Sequence, residues 1–132
     1  MMEVHLKITG SLLIILAILH FIFPKYFNWK EEFSSVSVIN RQMMYIHSYF
    51  IAFIVFLIGL LCLAEWSELL TGTLGKRISL VLGIFWMVRL YVQVFGYSSR
   101  IWRGKAFETI VHILLLLFWT YVSAVFILAY FA

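Results

Sequence analysis

His20 stands four residues before Pro24, His47 four residues after Met43, where the second segment enters its apolar zone, and His112 five residues after Phe107, each near the end of a different apolar segment. Read as alternating membrane spans, the three segments turn those ends toward one side. Gln93, on the remaining segment, falls at the same level, with Arg89 one turn deeper. At 1.5 Å rise per residue the four side chains sit roughly 6–8 Å inside the apolar core. Ionisable groups inside a bilayer are costly and mark functional sites.

Neutral imidazole is a common ligand for zinc, iron and copper. Three histidines with an open fourth position form the pattern of a catalytic zinc site, and an added carboxylate suits iron or manganese. His20, His47 and His112 are therefore the candidate metal ligands. Arg89, Gln93 and Glu108 are the candidate cofactor-binding groups, placed to orient the rings or hold a bound molecule. Two of the histidines could instead be axial ligands to haem b, with Arg89 on a propionate. No residue stands out as catalytic. The chain contains no HxxxH, HExxH or CxxCH run, so the candidate rests on topology and not on a local motif.

Arg89 is the most demanding of these residues. It stays charged under nearly all conditions, and a lipid-facing position so deep costs about 3 kcal/mol. It must find Glu108, Gln93, a carbonyl or a bound anion. Glu108 lies four residues before His112, on the same helix face. A pair between Arg89 and Glu108 is the plainest account of both. Snorkelling of Arg89 to the interface is another.

Three function classes follow. The first is a membrane protein holding a transition metal (zinc, iron or copper) or haem for redox or metal-dependent chemistry on a lipid-soluble substrate. The second is a transporter or channel subunit whose polar layer binds an anion or relays protons. The third is an accessory or assembly subunit whose polar network only fixes helix packing.

The elements that carry these residues follow from composition. Of 132 residues, 64% are hydrophobic and 12% charged, with mean hydropathy +1.03; soluble domains carry about a quarter charged residues. The expected fold is an all-α membrane protein, one domain over 1–132. Four transmembrane helices, at 6–23, 38–64, 78–97 and 107–131, form an up-down-up-down bundle. Pro24, the only proline, is expected to end the first helix. In the first connection Asn28 and Glu31 have capping-box spacing. Tyr26, Phe27, Trp29 and Phe33 alternate there with charges, which suits a short interfacial helix serving as a belt anchor or as a lid over the polar layer. Cys62, the single cysteine, excludes an internal disulfide or a CxxC metal site. The N-terminal apolar run lacks a small-x-small cleavage site and reads as a retained span.

Orientation follows from lysine and arginine. Connections one and three, with the start of span two, carry Lys25, Lys30, Arg41, Arg100, Arg103 and Lys105; the opposite side carries Lys7, Lys76 and Arg77. This bias puts connections one and three in the cytoplasm and both termini outside, in a bacterial inner membrane. The net charge of +4 thus reflects topology and not nucleic-acid binding. The expected partners are the lipid bilayer and either further copies of the chain or a larger membrane complex.

Overall fold

A computed structural model describes residues 1–97, 101 and 104–132. The protein is all-α. Its helices are α1 (Met2–Tyr26), α2 (Trp29–Glu32), α3 (Val38–Ala64), α4 (Trp66–Thr71), α5 (Thr73–Tyr91) and α6 (Ala106–Phe131), with a π-helical turn at Val92–Gly96 continuing α5. Among the described residues, four helices are long and apolar enough to cross a membrane: Met2–Tyr26, Val38–Ala64, Thr73–Gly96 and Ala106–Phe131. The contacts divide the chain into two compact units, one of residues 7–65 and one of residues 1–6 with 66–132.

The unit of residues 7–65 is an antiparallel pair of α1 and α3. The buried face of α3 is Ser48, Ala52, Val55, Gly59 and Cys62, a stripe of small side chains at spacings of three and four. Such stripes let helix backbones approach closely. The closest approach is at two glycines: a Cβ on Gly10 would lie 2.7 Å from the Gly59 carbonyl oxygen, and one on Gly59 would lie 2.8 Å from that of Gly10. Further along, Phe21 stacks on Tyr49 with centroids 5.4 Å apart. Outward-facing Ile15, Ile18, Phe50 and Ile54 are exposed, as lipid-facing positions require.

Two local features differ from expectation. Pro24 does not end α1, which runs on to Tyr26. The proline sits in the last turn, where its missing N–H removes one bond, and Phe27 N–H closes the helix on the Phe23 carbonyl at 2.8 Å. The short helix of the first connection is present as a single turn; the Asn28 carbonyl accepts from Glu31 N–H at 3.2 Å and Glu32 N–H at 3.0 Å, but its side chain makes no cap bond to the backbone. Asn28 takes a left-handed conformation (φ 55°), and its side-chain amide donates to Glu31 Oε2 at 2.9 Å. Asparagine is one of the few residues that tolerates this region. Trp29 packs edge-on against Tyr45 of α3.

In the second unit α5 and α6 run antiparallel. Lys76 donates to the Ala132 carbonyl at 2.6 Å. A Cβ on Gly83 would meet Ile127 at 2.6 Å, and Trp86 stacks on Trp119 at 5.1 Å and 12°. Helix α4 folds back onto α5, where the buried Ser79 hydroxyl donates to the Leu69 carbonyl at 3.2 Å. His5 Nδ1 lies 2.9 Å from the Tyr121 hydroxyl. The buried residues of α6 are Trp119, Val122, Ser123, Val125, Phe126 and Ala129. The half of α6 that carries His112 is therefore the less buried half.

Candidate intramembrane polar site

The third span loses regular α-geometry where its polar residues lie. Val92–Gly96 winds as a π-helix, and its one buried residue is Gln93. Single π-turns inside helices are frequent at functional sites. This turn has a local effect. Tyr97 is eight residues beyond Arg89, about 80° out of register on an ideal α-helix. The wider π-turn lags in rotation and brings Tyr97 back to the face of Arg89.

Arg89 sits within a cluster of aromatic rings. Its guanidinium carbon is 4.8 Å from the Trp119 ring centroid and 5.8 Å from that of Tyr97. Its Nη2 donates to the Tyr97 hydroxyl at 3.5 Å. Nη1 is buried and has no hydrogen-bond partner among the described residues. Two ring contacts of about 1 kcal/mol each recover most of the ~3 kcal/mol insertion cost of a central arginine. The unpaired N–H then remains as a further cost of about 1–3 kcal/mol. Glu108 does not supply the missing charge: it is exposed, and no Arg89–Glu108 ion pair forms among the described residues. The aromatic faces do what the carboxylate was expected to do.

One turn toward the span end, Gln93 Nε2 is 2.8 Å from His112 Nδ1. In this orientation the amide N–H donates, Nδ1 accepts and the imidazole proton is on Nε2. Gln93 is 4% exposed, yet its Oε1 has no partner among the described residues. Turning the amide over lets Oε1 accept from a protonated Nδ1 and leaves an amide N–H unpaired instead. Either orientation leaves one buried polar atom of Gln93 unsatisfied, which native interiors seldom allow without a reason.

The layer below repeats the pattern. Trp86 and Trp119 are each 3% exposed, and the indole Nε1–H of both is buried without a partner among the described residues. Within about two turns of α5 and α6, three buried donors are thus unpaired, on Arg89, Trp86 and Trp119.

The histidines of the other unit are placed differently. His20 Nδ1–H donates to the Leu16 carbonyl of its own helix at 2.8 Å, and its ring lies 5.0 Å from that of Phe23. This bond fixes the tautomer with Nε2 as acceptor. His47 is exposed, and no hydrogen bond or ring contact joins it to His20. Among the described residues, no group of three or more His, Cys, Asp or Glu side chains is placed to hold a metal ion.

The structure thus brings Gln93 and His112 together and sets Arg89 one turn away. Trp86, Trp119 and Tyr97 were not among the residues singled out by sequence. A signal for two of them exists in helical spacing: Trp86 is three residues before Arg89, and Trp119 is two turns beyond His112 on the same face. Scans against protein families, curated proteins and solved structures find no match to the chain.

Proposed function

We propose that this is an integral membrane protein whose α5–α6 hairpin recognises an anionic group within the membrane, as a binding or transport subunit. The observation that carries the reading is the surplus of donors around Arg89 that have no partner among the described residues. Guanidinium and indole N–H groups have no acceptor capacity, so an acceptor-rich ligand would satisfy them. A cation or metal would meet the fixed positive charge of Arg89 instead. A phosphate or carboxylate bound to the guanidinium gains a charge-assisted, two-pronged contact. Both termini lie outside and connections one and three lie in the cytoplasm, as the lysine and arginine bias directs.

The test is the melting temperature of the detergent-purified full chain in chloride, phosphate and octyl phosphate. A ligand that binds only the folded state stabilises it by mass action. The reading expects octyl phosphate to raise the melting temperature of the wild type and not of Arg89→Gln. Equal shifts in the two proteins contradict it.

A second reading has one observation in its favour. His20 holds its Nδ1–H on a backbone carbonyl, as metal-bound imidazoles do, and leaves Nε2 as the ligating atom. Under that reading His20 is a ligand of haem or a transition metal. Elemental analysis of protein purified without a histidine tag decides it: near-stoichiometric iron, zinc or copper supports it, and metal unaffected by His20→Ala counts against it.

A further inference from the structure

The anion site lies in a setting that selects how its ligand arrives. Arg89 is seven residues from the end of the third span at Gly96, roughly 10 Å along the helix axis. Its guanidinium is turned toward that end, because Nη2 reaches the hydroxyl of Tyr97 just beyond it. Nη1 of the same guanidinium, without a partner among the described residues, is then within a side chain's reach of that span end. On the helix surface Arg89 is bordered by Phe85, Val88 and Val92, exposed by 55%, 58% and 38%. On α6, Ile113, Leu114 and Leu117 are exposed on the side away from His112 and Trp119, so the apolar border of the site is the α5 side.

This border discriminates between sources of the same chemistry. An inorganic anion must shed its hydration shell and cross an apolar collar to reach the guanidinium. A lipid brings its anionic group at the right depth, and its chains cover the exposed apolar side chains that border the site. We infer that the ligand of the Arg89 site is a membrane lipid bearing a phosphate monoester, held by its phosphate on the guanidinium with its chains along the exposed face of α5. A phosphate monoester carries close to two negative charges and three acceptor oxygens, enough to meet the guanidinium with more than one charge-assisted contact. A zwitterionic phosphodiester offers less charge and a bulkier group. The inference rests on the anion-site reading above, and its test separates the two.

The experiment is a titration of the full chain in neutral detergent, read by tryptophan fluorescence, because the Trp119 ring is under the guanidinium. Three probes are compared: dioctanoyl phosphatidic acid, dioctanoyl phosphatidylcholine and inorganic phosphate. The expected result is saturable binding of phosphatidic acid at least tenfold tighter than either of the others. Arg89→Gln should lose that preference tenfold or more. Arg89→Lys, which keeps the charge, should retain part of it, and far-UV circular dichroism confirms that both variants are folded. Inorganic phosphate binding as tightly as phosphatidic acid, with the same dependence on Arg89, overturns the lipid ligand and leaves the anion site standing. Equal affinity for the two lipids, unaltered in Arg89→Gln, overturns both.

Discussion

Histidine chemistry in this chain is decided by what each ring nitrogen already bonds. Among the described residues, His112 is the one imidazole tied to a buried side chain, through Gln93. His47 is exposed and joined to nothing of the kind. Removing the His112 ring strands a Gln93 amide that is 4% exposed, and an orphaned buried amide costs about 1–3 kcal/mol. His112→Ala should therefore lower the stability of the detergent-solubilised protein by that amount, whereas His47→Ala should change it by less than about 0.5 kcal/mol. Chemical unfolding in mixed micelles measures both, and equal losses contradict the assignment. The four-residue spacings Arg89–Gln93 and Glu108–His112 were legible in the sequence because helical geometry alone places such residues on one face. That Arg89 takes aromatic partners over Glu108 was not legible. It depends on the rotation introduced by the π-turn, and nothing in Val92–Gly96 marks that turn in advance.

Helix pairing rests on small residues. The stripe on α3 includes Gly59 and Cys62 and meets α1 at Gly10, where a Cβ would lie 3.0 Å from that of Cys62. Disulfide-bonded Cβ atoms are usually about 3.5–4.5 Å apart, so a slight outward shift accommodates a bridge. Gly10→Cys should form an intramolecular disulfide with Cys62 under copper-phenanthroline oxidation, seen as a shift in non-reducing gel mobility. Ile14→Cys, one turn further on, provides a comparison and should cross-link more slowly. A reversed order contradicts the register of α1 against α3. Hydropathy made the four spans legible, with ends that moved by a few residues. Span three begins at Thr73, ahead of Lys76 and Arg77, because Lys76 extends to the Ala132 carbonyl and its charge does not interrupt the helix. Pro24 misled for a related reason: near a helix end its missing N–H costs one bond, too little to stop the winding.

For the whole molecule, four helices among the described residues are long and apolar enough to cross a membrane, and the proposed alternating passage puts both termini on one side of the bilayer. The proposed orientation makes that side the outside. A C-terminal alkaline phosphatase fusion in a bacterial host should be active and a C-terminal green fluorescent protein fusion dark. The opposite pair of signals reverses the orientation without altering the depth of the polar site. That depth is the property with most bearing on function. The Arg89 backbone lies roughly 10 Å inside the end of its span, and its guanidinium, flanked by rings and by donors without partners among the described residues, is the charge the proposed anion would neutralise.

The guanidinium itself reports on this. Nitrogen-15 spectra of arginine-labelled full-length protein in neutral detergent, with the Arg89 resonance assigned by Arg89→Lys, should be followed while octyl phosphate is added. Anion recognition predicts a saturable shift of the Arg89 side-chain signals, with those of Arg41 and Arg77 moving only weakly and without saturation. Arg89 signals that stay in place while the protein remains folded would contradict it.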